Sequence, residues 1–184
     1  RSIIHCHTFL AMPESKIQKE LQQTKPFASA FQEAGVALLR TSDQLQRRLA
    51  ATVEPHGITA QQYNVLRILR GSHPEAVPTL EIATRMIEQA PGITRLLDRL
   101  EAKKLIERVR CGKDRRRVLC TISTAGLALL AELDRPMFET ARASFATLSS
   151  VQTRELIKLL DDLREGLYSS CSQLQPEMKK ENSK

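Results

Sequence analysis

The sequence has no tryptophan, and phenylalanine and tyrosine together bring its aromatic content to only 4%. Sandwiches and barrels lean on aromatic and β-branched residues, so neither architecture is expected. No apolar run approaches the ~20 residues that a membrane span requires, because Arg, Lys, Asp or Glu interrupts every helical-looking stretch. The four cysteines, Cys6, Cys111, Cys120 and Cys171, show neither CxxC spacing nor the even framework of a small secreted fold. Reduced thiols and a soluble, cytoplasmic chain are the expectation. His5-Cys6-His7 are three adjacent side chains near one end, a poor basis for a closed metal site. The segment before Met12 has no long h-region, so a secretory signal is not expected, and residues 1–11 are assigned no structural or native role.

Signs of catalysis are also scarce. There is no Gly-rich phosphate loop and no His-x-x-x-His pair; His56 and His73 both stand beside prolines in loop-like segments. Asp161 and Asp162 are neighbours on one helix and point apart, so they cannot share a proton. An enzyme is not expected.

Leucine, alanine and positive charge are what the chain does have. Hydrophobic residues make up 41% of the 184, enough for a proper core, and 28 Lys and Arg against 21 Asp and Glu give a net charge of +7. Between Arg85 and Arg117 lie eleven basic and five acidic residues, a net of +6. Such concentration in about a sixth of the chain is expected of a phosphate-binding surface, where each neutralised phosphate also releases counterions.

Periodicity predicts a helix from Phe27 to about Val53, broken by Pro55-His56-Gly57. Thr59 stands where an N-cap should precede a second helix bearing Tyr63, Leu66 and Leu69. Gly71 to Pro78 reads as a connector with a short extended stretch. A third helix over Thr79–Ile87 follows, with Leu80, Ala83 and Ile87 inward. Pro91 can open a fourth, where Ile93, Leu96, Leu97 and Leu100 form a buried stripe opposite Thr94, Arg95, Asp98 and Arg99. Two short alternating runs, Ile106 to Arg110 and Arg117 to Ile122, predict a β-hairpin whose tip, Cys111 to Arg116, combines turn residues with dense positive charge.

Ser123 can cap a fifth helix that must bend near Pro136. After Ser149-Ser150, the residues Leu156, Leu159, Leu160, Leu163 and Leu167 mark a last helix. Apolar stripes at both ends exceed what the small central core needs, which points to a homodimer. The fold class is therefore mainly α with a small β-hairpin wing: a winged helix-turn-helix domain over 58–123, dimerisation helices over 27–53 and 124–170, and flexible segments over 1–26 and 171–184.

Ile58 to Gly126 resembles the MarR family of bacterial transcriptional regulators. The words that carry the likeness are Ile58-Thr59-Ala60-Gln61-Gln62-Tyr63-Asn64-Val65-Leu66, Ile93-Thr94-Arg95-Leu96-Leu97-Asp98-Arg99-Leu100-Glu101, Asp114-Arg115-Arg116 and Ile122-Ser123-Thr124-Ala125-Gly126. The resemblance implies a two-fold dimer on double-stranded DNA, its fourth helices in successive major grooves and its wings in adjacent minor grooves. Half-sites would then lie roughly 34 Å apart in a near-palindromic operator.

It further implies that Asp114 orients Arg116 into the minor groove. Lys113, Arg115 and Arg117 would contact phosphate, with Arg110 in the same wing set. Gln89, Thr94, Arg95, Asp98 and Arg99 would form the reading face, where Arg suits guanine and Gln adenine. Small aromatic or phenolic acids are the effector class implied, and no cofactor is expected. Cys111, beside these charges, is a candidate redox residue.

Two departures from the family pattern stand out: Gln89-Ala90-Pro91-Gly92 replaces a capping Ser, Thr, Asn or Asp, and Lys104 replaces the usual Gly. The chain must therefore strain at Lys104 or continue the helix through Lys103-Lys104. A winged-helix module docking an acidic protein is the alternative function.

Overall fold

A computed structural model describes residues 15–88, 92–110, 112 and 117–181, with side chains described as far as Ser169. The elements in chain order are α1 (Lys16–Glu20), α2 (Ala30–Val53), a 3-10 turn (Glu54–His56), α3 (Ala60–Ser72), β1 (Val77–Pro78), α4 (Thr79–Arg85), α5 (Ile93–Ala102), β2 (Ile106–Arg110), β3 (Val118–Ile122), α6 (Thr124–Ser144) and α7 (Ser150–Glu181). Two compact units meet within α6, between Ala131 and Glu132.

In the first unit, α3 packs against α2, α4, α5 and β3. A capping box starts it: Thr59 Oγ1 accepts from the Gln62 amide at 3.2 Å, while Gln62 Oε1 accepts from the Thr59 amide at 3.1 Å. Tyr63, Val65, Leu66 and Leu69 of α3 are buried with Ile82, Leu96, Leu97, Leu100, Ile106 and Ile122. Each large aliphatic side chain so removed from water contributes about 1.5–3 kcal/mol.

The sheet is antiparallel with order β1-β3-β2; Val77 pairs with Cys120, and the hairpin register runs from Ile106 opposite Ile122 to Arg110 opposite Val118. The connector after α3 thus supplies a third strand.

Four expectations are corrected. The inward face of α4 is not Leu80, Ala83 and Ile87: Leu80 is 80% and Ile87 79% exposed, whereas Ile82 is fully buried. Seven residues make barely two turns, too few for periodicity to fix the phase. The strand pairing before α4 fixes it instead, with Thr79 Oγ1 donating to the Val118 carbonyl at 3.2 Å. Residues 16–20, expected within a flexible extension, form α1, capped where Ser15 Oγ accepts from the Gln18 amide at 3.3 Å. α7 continues through Pro176 to Glu181, into the expected flexible tail over 171–184, because Gln, Leu, Glu, Met and Lys are strong helix formers. The fourth helix begins at Ile93 and not at Pro91, which lies outside the described residues, as does His5-Cys6-His7.

α6 runs unbroken from Thr124 to Ser144 with Pro136 inside it, at the loss of the hydrogen bond that its nitrogen would donate. In the second unit α7 exposes Val151, Ile157, Leu159, Leu163 and Leu167. Among the described residues, no helix is long and apolar enough to cross a membrane.

Candidate nucleic-acid interface

α5 divides nearly as its spacing predicts: Leu96, Leu97 and Leu100 are buried, Ile93, expected in the same stripe, is only half-buried at the helix start, and Thr94, Arg95, Asp98 and Arg99 are exposed. Gly92 caps it at φ 99° and supplies no side chain, so the cap residue itself gives the first-turn amides no acceptor. Positive φ there suits glycine alone among common residues. Neither the Arg95 nor the Arg99 side chain has a hydrogen bond or ion pair among the described residues, which leaves both guanidiniums for an external anion.

The other end of α5 closes in a Schellman motif. Lys104 adopts φ 58°, its amide donating to the Glu101 carbonyl at 2.7 Å, and the Leu105 amide donates to the Leu100 carbonyl at 3.0 Å. Of the two outcomes open at Lys104, the chain takes the strained one.

From there β2 leads into the wing. Arg110 and Arg117 are exposed and flank the hairpin tip. Cys111, Lys113, Asp114, Arg115 and Arg116 of the tip, and Gln89 ahead of α5, lie outside the described residues. Asp98 faces the wing: Arg108 Nη2 donates to Asp98 Oδ1 at 2.6 Å, and Arg108 Nη2 and Nε donate to Glu101 Oε2 at 2.5 and 2.9 Å. Hydrogen bonding to Glu101, ahead of that to Asp98, holds the Arg108 guanidinium above its ordinary pKa despite partial burial.

Sequence reasoning placed Asp98 on the reading face and counted Arg108 merely as positive charge. Residues seven and ten positions apart across a helix end carry no periodic signal; only the strand's return along α5 joins them.

Other contacts trim the charge. Arg85 pairs with Glu81 and donates to Ser72 Oγ at 3.0 Å, and Lys103 Nζ donates to the Gly57 carbonyl. Ser123 knots the wing's exit to the end of α5: its hydroxyl donates to the Lys104 carbonyl at 2.7 Å and accepts from the Gly126 amide at 3.0 Å. A Cβ at Gly126 would lie 2.3 Å from the Leu105 carbonyl oxygen, so glycine is required for this approach. Cys120, fully buried opposite Arg108, packs as a small hydrophobe, and burial pushes its thiol up. An open cleft of about 490 Å³ lies between the end of α2, the start of α3 and the end of α5, lined by Glu54, Ile58, Gln62, Arg99 and Lys103 among others.

A three-helix core, a helix with an exposed arginine stripe and a wing rooted beside it define a winged helix-turn-helix, DNA-binding transcriptional regulator. The family model described as MarR family matches residues 56–117. A MarR transcription factor of Planctomyces limnophilus is 39% identical, with 74% of this chain and 98% of that one covered and a TM-score of 0.59. The protein therefore belongs to the MarR family.

More distant relatives fit the same frame. The homoprotocatechuate degradative operon repressor of Escherichia coli is 25% identical over 69% of this chain and 84% of its own length. A structure of Bordetella bronchiseptica BpsR, described for the regulation of its DNA binding by 6-hydroxynicotinic acid, is 26% identical over 72% of this chain and 98% of its own, with a TM-score of 0.64.

Proposed function

We propose that the protein is a cytoplasmic, ligand-responsive repressor that binds a near-palindromic operator as a homodimer. The observation that carries this reading is the exposed stripe of Thr94, Arg95 and Arg99, its two arginines unpaired among the described residues, beside a wing flanked by Arg110 and Arg117. Arg95 and Arg99 suit guanine edges, and the wing cations suit phosphate. The likeness at Asp114-Arg115-Arg116 supports Arg116 as the minor-groove residue. Repression is supported by the operon repressor among the relatives, and a non-enzymatic role by the regulators that the chain resembles.

A small aromatic or phenolic acid is the effector class we propose, supported by BpsR, whose DNA binding 6-hydroxynicotinic acid regulates. The cleft at the end of α5 sets the unpaired Arg99 guanidinium beside Ala102, a cation for a carboxylate next to a small apolar side chain.

Selection from a randomised duplex pool tests the reading, with wild type and Arg116→Ala compared at two salt concentrations. A near-palindrome should emerge, the variant should bind about 1–3 kcal/mol more weakly, and wild-type affinity should fall steeply with salt. Absence of any motif, with the variant binding like wild type, would favour a module docking an acidic protein.

A further inference from the structure

Asp98 and Glu101 lie one turn apart on α5, and a single side chain from β2 engages both. Arg108 does so through three hydrogen bonds of 2.5 to 2.9 Å, with only 20% of its side chain exposed. Charge-assisted bonds at these distances are the strong kind. On the same helix Arg95 stands three residues before Asp98, within reach for an i,i+3 ion pair, and Arg99 is its neighbour. That pair does not form: Asp98 turns to the wing strand, and both arginines are left without an ion pair among the described residues. A carboxylate freed from Arg108 would find Arg95 nearby and would repel phosphate.

We infer that Arg108 is a positioning residue which keeps Arg95 available to DNA by holding Asp98 and Glu101, and that Asp98 is the wing's partner and not a reader of bases. This rests on the DNA-binding reading. The interaction also fixes the root of the wing to the reading helix, because the two carboxylates and the guanidinium belong to different elements.

The test uses the duplex recovered by selection with wild type and a scrambled duplex of equal length, each titrated at several salt concentrations, with thermal unfolding as the check on folding. Arg108→Gln should weaken binding to the selected duplex about tenfold and lower the slope of log affinity against log salt by about one. Adding Asp98→Asn to Arg108→Gln should restore both to within about threefold of wild type, because the carboxylate that captures Arg95 is gone. Asp98→Asn alone should recover the same sequence from the pool as wild type.

A double variant that binds no better than Arg108→Gln overturns the inference, as does a changed base preference in Asp98→Asn. If Arg108→Gln does not fold, Arg108→Lys, which carries one charge without the planar fork, takes its place and should show the same order of effects. Wild type that selects no sequence overturns the DNA reading itself, and the inference with it.

Discussion

At Lys104 a residue with a side chain holds φ 58°, a conformation in which Cβ crowds the following carbonyl. Its amide and that of Leu105 close the last turn of α5, and its own carbonyl receives the Ser123 hydroxyl, so the backbone cannot relax elsewhere. Lys104→Gly removes the strain and keeps every one of these bonds, at the cost of a more flexible unfolded chain. The variant should gain several tenths to about 1 kcal/mol in urea unfolding; a loss of stability would mean that the Lys104 side chain contributes more than its backbone costs. This residue was legible in the sequence as an anomaly, a lysine where glycine belongs. Its outcome was not, because strain and helix continuation leave the same local pattern of residues.

Elements differ in how far their residues announce them. α5 and the hairpin were legible in face, since four leucine or isoleucine positions at helical spacing and an alternating Val118, Cys120 and Ile122 each define a phase, though the start of α5 was not legible. The inward face of α4 was not, for a short helix takes its phase from the sheet at its start. α3 sits between these cases. Its Thr59 cap is visible in sequence, and the reciprocal bond from Gln62, 97% buried, appears only in the fold. Thr59→Ala removes one arm of the box and should cost about 1 kcal/mol in urea unfolding. An unchanged midpoint would place the capping energy in Gln62 alone. Three residues of the candidate interface shared the legibility of α5: Thr94, Arg95 and Arg99 emerge on its exposed face as spacing dictates. Arg108, which holds their neighbour Asp98, was invisible because its partners come from tertiary return of the chain.

For the whole molecule, burial is unevenly distributed. In α2, 24 residues long, only Val53 is buried, while Phe31 is 90% and Leu39 73% exposed. α7 carries its own exposed set, including Leu159, Leu163, Leu167 and Tyr168. The homodimer proposed above would cover apolar surface of this kind, a two-fold pairing of identical chains being the simplest closed solution. Leu39→Asp should therefore raise the dimer dissociation constant at least about tenfold, as expected when a charge enters an apolar interface. Sedimentation across a dilution series measures it, and an undiminished dimer mass would exclude α2 from the interface.

The contact of Gly126 with the Leu105 carbonyl bears on how ionic strength acts on this molecule. Backbone against backbone, reinforced by uncharged hydrogen bonds through Ser123, is a seam that dissolved ions do not screen. Added salt thins the attraction between arginines and phosphate and slackens the grip of Arg108 on its carboxylates, yet the exit of the wing stays fastened to the end of the reading helix. A salt titration consequently reads ions displaced from DNA together with the loosening of Arg108 from Asp98 and Glu101, while the seam itself holds.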